Sequence, residues 1–178
     1  MIIDSCAGDS SEVQIYTSSD AGQRAYGAAI FLRVKHKDRI RVGLLTFKSL
    51  VAPLKKLSLP GLELMGALLA AHLIKEVKKI IVRKCPTTVF FWKDSQITLY
   101  WIKVPSYKWK PFVANRVREI QSLTDPNSWL HCSGKENPAN LLTRRISVET
   151  LATKWWNGPL FLSQTNFLTN KLDDAIPV

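Results

Sequence analysis

Alternating and continuous apolar runs divide the chain into strands and helices. Residues 13–20, VQIYTSSD, read as a strand. Residues 25–34 (AYGAAIFLRV) and 40–51 (IRVGLLTFKSLV) read as two more, and the polar KHKDR between them predicts a hairpin. Gly27 inside the second strand marks a close backbone approach or a bulge. From Ser58–Pro60 to about Val82 the apolar positions fall at helical spacing, with Ser suited to a cap and Pro to a first turn. Glu63, Ala67, Ala70 and Ile74 share one face of that helix, with Gly66 and Ala71 beside them. Small residues let a helix lie close against a sheet, so Glu63 is expected to point inward. Lys75, Lys78 and Lys79 mark the outer surface near its far end.

VFFWK (89–93) is nearly continuous in apolar residues, the pattern of a central strand covered on both faces. Ser95 then caps a short helix, QITLYWIK, followed by the loop VPSYKWKP and a helix through FVANRVREIQSL. SWLHCS (128–133) reads as a short strand, GKENPANLLTRR becomes helical near Pro138, and a last helix, VETLATKWW, stops at Asn157-Gly158-Pro159. The order is β-β-β-α-β-α-α-β-α-α. It predicts an α/β fold: a five-stranded mixed sheet, an antiparallel three-stranded meander plus parallel strands, with helices on both faces. Residues 1–12 read as an irregular lead-in, 13–162 as one domain and 163–178 as a polar, mobile tail.

Composition narrows the class. The chain has 178 residues, 46% of them hydrophobic, which suits one globular domain with a real core. Its net charge of +11 suits a polyanionic partner. No apolar run approaches the roughly 20 residues of a membrane span. MIIDSCAGDSSE is not a secretory signal, so the expected setting is cytoplasmic or nuclear. Cys6, Cys85 and Cys132 are scattered, with no CxxC pair, and the 3 histidines have no zinc-ligand spacing.

Against that basic background, three acids stand beside apolar or strand-like segments. Asp20 ends the first strand, Glu63 lies on the inward face of the first long helix, and Asp94 follows the fourth strand. Each has an ordinary reading: a turn residue, an acid favoured by the helix dipole, a partner in a helix cap. In sheets of this kind sites form at the carboxyl ends of central strands. If the first and fourth strands are neighbours, the three carboxylates meet, as metal-assisted phosphodiester chemistry requires.

The blocks SSDAGQRAYGAAIFL, SLVAPLKKLSLPGLELMGALL, VFFWKDSQITLYWI, YKWKPFVANRVREIQSL, WLHCSGKENPANLLTRR and WWNGPLFL follow one another across residues 13–162. In that order the chain resembles the ribonuclease H domain of Bel/Pao-type LTR retrotransposon polyproteins. The resemblance implies a ribonuclease H-like fold and hydrolysis of the RNA strand of RNA–DNA hybrids during reverse transcription. It implies a reverse transcriptase portion as partner, a virus-like particle as one cytoplasmic setting, and a polyprotein fragment or co-opted copy as the origin of the chain. Asp20, Glu63 and Asp94 match the first three acids of the family's metal site. The fourth belongs in G-K-E-N-P-A-D, where this chain has Asn140, so weakened turnover is expected.

The implied cofactor is a pair of Mg²⁺ ions about 3.5–4 Å apart. The family implies that Asp20 bridges them, Glu63 serves the leaving side and Asp94 the ion that activates water. Asn140 still offers a carbonyl oxygen, and Mn²⁺ should bind such a mixed set better than Mg²⁺. Lys108, Lys110, Arg116 and Arg118, with Trp109 among them, are candidate phosphate contacts, the alternative being solvated cations around a packed Trp109. Gln96 resembles the Gln of a retroviral D-S-Q and is a candidate minor-groove contact. His131 is a candidate product-release histidine, weighed against a structural role. Two further function classes stand beside the nuclease. One is an inactive nucleic-acid-binding or polymerase-supporting module. The other is an integrase-type transferase, which would use Glu136 as its last acid.

Overall fold

The computed structural model describes residues 11–81, 86–144, 149 and 155–165. Its sheet has five strands: β1 (Ser11–Ala21), β2 (Ala25–His36), β3 (Arg39–Val51), β4 (Thr87–Lys93) and β5 (Trp129–His131). They lie in the order β3-β2-β1-β4-β5. β1 and β2, and β2 and β3, pair antiparallel, while β4 pairs parallel with both β1 and β5. This is the meander-plus-parallel sheet that the element order predicts.

The hairpin is tighter than KHKDR suggests. His36 and Arg39 still pair, leaving a two-residue loop in which Lys37 takes φ 53°. Cross-strand pairing outweighs the polar composition of the segment. β1 likewise begins at Ser11, because Ser11 and Glu12 continue the ladder against His36 and Lys35. β5 is only three residues long and is fed by a 3-10 turn over Pro126–Ser128.

Helix α1 (Leu59–Ile81) begins as expected, with Ser58 Oγ accepting the Gly61 N–H. Helix α2 (Gln96–Lys103) is capped by Ser95, whose Oγ accepts the Thr98 N–H. A 3-10 turn over Ser106–Lys108 leads into α3 (Pro111–Leu123), and α4 (Asn140–Thr143) is a single turn. The helix expected at 148–156 lies mostly outside the described residues, as do residues 1–10 of the lead-in and 166–178 of the tail.

Strand alternation builds two cores. On one face Val13, Ile15, Ala28, Ile30, Leu32 and Phe91 meet Leu64, Ala67, Ala71 and Ile74 of α1, with α2 and α3 behind. On the other face Tyr16, Phe31, Trp92 and Leu130 meet Trp155, Phe161 and Leu162, flanked by Leu141 and Leu142. β1, β2 and β4 are thus covered on both sides, as the continuous apolar run at 89–93 predicts. Among the described residues no helix is long and apolar enough to cross a membrane.

The second layer is held by a buried cation. Arg33, 2% exposed, donates from Nε to Leu162 O (2.8 Å), from Nη2 to Gln164 O (3.0 Å) and from Nη1 to Gln14 Oε1 (2.9 Å). Replacing it with Met leaves these acceptors without their charged donor. Arg33→Met is expected to cost about 2–4 kcal/mol, read as a lower urea midpoint, and to expose the 160–165 segment to proteolysis first.

Candidate metal centre

Two glycines set the approach of the elements around the site. A Cβ on Gly66 would lie 3.1 Å from the carbonyl oxygen of Asp20, so α1 rests directly on the end of β1. One turn earlier on that helix stands Glu63. Gly27, opposite Asp20 in the β1–β2 register, meets Leu142: a Cβ there would come within 2.9 Å of that side chain. The close approach expected at Gly27 is therefore real, and the register shift between β2 and β3 falls instead at Ile30/Phe31. The contact seats α4 against Asp20.

β1 and β4 are parallel neighbours, so Asp20 and Asp94 emerge at the same end of the sheet. With Glu63 supplied by α1, one carboxylate oxygen from each of Asp20, Glu63 and Asp94 lies within 4.8 Å of the others. Asp20 and Glu63 are buried at 5% and 8% exposure, and Asp94 is half-buried. Ser95, not Asp94, caps α2, and Glu63 faces the sheet rather than solvent.

Asp20 Oδ2 accepts a hydrogen bond from the Thr143 hydroxyl. Asn137, 3% exposed, donates from Nδ2 to Ser19 O at 2.9 Å and to Asp94 Oδ1 at 3.3 Å. Lys93, fully buried, contacts Glu63 Oε2 and lies 3.2 Å from Ser19 O. Sequence reasoning passed over all three. A lysine closing an apolar strand immediately before an acid was the available signal for Lys93. Thr143 and Asn137 carried none.

Asn140 borders the cluster. Its Nδ2 donates to Gly134 O, and its buried Oδ1 has no hydrogen-bond partner among the described residues. A Cβ on Gly134 would lie 3.3 Å from Asp94 Oδ2 and 4.0 Å from Asn140 Nδ2, so both side chains front the same narrow gap. The three converging carboxylates form a hard-oxygen donor set that fits a divalent cation.

Burial raises the pKa of Asp20 above its ordinary value of 3.8; the Thr143 hydroxyl and Lys93 pull it back, and Asp94 adds to the rise. Burial raises Glu63 above 4.5 in the same way; Lys93 opposes this, and Asp20 and Asp94 reinforce it. The native state therefore holds these protons more tightly than the unfolded chain. The stability they contribute is complete below the ordinary values and is lost as pH rises through the raised ones. Ion-free protein is expected to lose urea resistance from about pH 4 upward, and Mn²⁺ should restore it at the upper end. Asp20→Asn should flatten the ion-free slope.

The remaining expected contacts are spread more widely. Gln96 is exposed at the start of α2, and Lys108, Lys110 and Arg118 are exposed on the following segments. Arg116 is half-buried: it stacks 3.7 Å from the Phe112 ring centroid and donates to Phe112 O and Met65 Sδ. Trp109 is likewise half-buried, its Nε1 donating to Trp101 O at 3.2 Å. His131 ends β5 level with Lys93. Glu136 lies in the turn before α4, accepting from Ser133 Oγ at 3.0 Å, outside the carboxylate cluster.

Residues 5–95 of the 178 match the sequence family described as the Pao retrotransposon-like RNaseH-like domain. No curated protein matches the chain. Similar solved structures include RNase H1 from the halophilic archaeon Halobacterium salinarum NRC-1, with TM-score 0.44 and 14% identity over 74% of this chain and 93% of that one. They also include LC11-RNase H1 in complex with an RNA/DNA hybrid, isolated from compost by a metagenomic approach. That chain aligns with TM-score 0.46 and 16% identity over 74% of this chain and 93% of its own length.

Proposed function

The chain belongs to the Pao retrotransposon-like RNaseH-like family, and from that membership we propose that it is a metal-dependent ribonuclease H of retrotransposon origin that hydrolyses the RNA strand of RNA–DNA hybrids. The observation that carries this reading is the meeting of Asp20, Glu63 and Asp94 within 4.8 Å at the carboxyl ends of two parallel strands. Asp20, Glu63 and Asp94 would hold Mg²⁺, with Asn140 Oδ1 as a neutral donor at the rim. Such ions, when bound, lower the pKa of a water and neutralise charge on the phosphate.

Asn137 and Thr143 fix the rotamers of Asp94 and Asp20, so the donors are arranged before a ligand arrives. The net charge of +11 favours a polyanion, and Gln96, Lys108, Lys110 and Arg118 are exposed to contact it. The natural partner in this reading is the reverse transcriptase portion of the same polyprotein, in a cytoplasmic particle or the nucleus. Glu136 stands apart from the acids, so a transferase of the integrase type is the weaker reading.

Asn140 favours a second reading, a domain that binds nucleic acid without cutting it. Incubating the chain and Asn140→Asp with an end-labelled hybrid in Mg²⁺ and in Mn²⁺ separates the two. Cleavage of the RNA strand by either protein supports the nuclease. An intact hybrid in all four reactions, with binding unaffected by Asp94→Asn, supports the binding module.

A further inference from the structure

Lys93 is the last residue of β4, and its side chain is 0% exposed. Phe91, two residues earlier, packs in the layer under α1. Strand alternation turns Lys93 the same way, into the place where α1 presents Glu63. A buried ammonium requires a charged partner and further acceptors. Lys93 takes Glu63 Oε2 and Ser19 O, and the first of these belongs to the acid cluster itself.

Formal charge sharpens the point. Asp20, Glu63 and Asp94 supply three negative charges and Lys93 one positive, which leaves two: enough to balance one divalent ion. Asn140 adds none.

We propose that the Lys93 ammonium is a built-in competitor cation, holding Glu63 in the place of a second divalent ion and leaving Asp20 and Asp94 to bind a single one. This rests on the metal-site reading above. It makes Lys93 a residue that sets ion stoichiometry and affinity, with Glu63 acting on the ion chiefly by neutralising the Lys93 charge.

Mn²⁺ alone, titrated calorimetrically into the whole chain, tests it. Glu63→Gln is expected to bind Mn²⁺ about tenfold or more weakly than the unsubstituted chain, because it leaves the Lys93 ammonium unneutralised beside Asp20 and Asp94. Lys93→Met is expected to bind at least about tenfold more tightly, and Lys93→Arg, which keeps the charge, to stay near the starting affinity. Adding Glu63→Gln to Lys93→Met should cancel the gain, the coupling expected of two groups in direct contact.

A second Mn²⁺ ion bound by the unsubstituted chain and lost in Glu63→Gln overturns the proposal, and this arm decides even if Lys93→Met fails to fold. Cooperatively melting Lys93→Met that binds no more tightly also overturns it. Equal, measurable binding by the chain and Lys93→Met removes only the Lys93 proposal. Absence of binding by both removes the metal-site reading along with it.

Discussion

Asp94→Asn is expected to lower hybrid cleavage by about 10²–10³-fold in kcat without loss of folded protein. The substitution is nearly isosteric, and Asn137 can still reach the side-chain carbonyl oxygen that replaces Oδ1. What disappears is one negative charge from a cluster of three acids within 4.8 Å. In the absence of divalent ions that charge is a cost, since it repels Asp20 and Glu63 and raises the pKa of both. The ion-free variant should therefore melt at or slightly above the temperature of the unsubstituted chain. A residue that served only the fold would lower stability and activity together. Cleavage rates on a hybrid with a labelled RNA strand, measured beside melting curves in a chelator, separate the two outcomes.

Asn140→Asp is expected to act in the opposite sense, raising Mg²⁺-supported cleavage by about tenfold, a change of about 1.4 kcal/mol in barrier. The gain should be smaller in Mn²⁺, which tolerates a neutral oxygen donor better. The same change has a structural cost. Asn140 Nδ2 donates to Gly134 O, and a carboxylate cannot replace that donor. Without divalent ions the variant should lose about 1 kcal/mol of stability, and Mg²⁺ should return it. Activity that rises while ion-free stability falls is the signature of a repaired ligand. A fall in both would make Asn140 a structural residue of the 134–140 turn.

The sheet and α1 were legible because their patterns are long and agree with burial. β2 shows its two faces in alternating residues, Ile30 and Leu32 under α1 and Ala29 and Phe31 on the other side. The three acids were legible because each sits where a solvated carboxylate has little reason to be. The short elements were harder to read. α4 is one turn, and β5 is three residues whose pairing depends on β4 already being in place.

Lys93 escaped because a lysine ending a strand ordinarily reaches solvent. Its burial follows from topology: α1 packs on β1 and β2 and brings Glu63 to the end of the neighbouring β4, a relation that no local window contains. Thr143 and Asn137 escaped for the same reason. Their partners Asp20 and Asp94 are 123 and 43 residues away in the chain. Arg116, a basic residue in a basic stretch, also engages Phe112 and Met65, and the contact with Met65 of α1 lies equally beyond any local window.

The most direct measurement is the anomalous scattering of Mn²⁺ from crystals of the chain grown or soaked with that ion. The account predicts a peak between Asp20 and Asp94, at the carboxyl ends of β1 and β4, with Lys93 still against Glu63. Crystals that diffract well, hold Mn²⁺ elsewhere on the surface and show none among these carboxylates would contradict it.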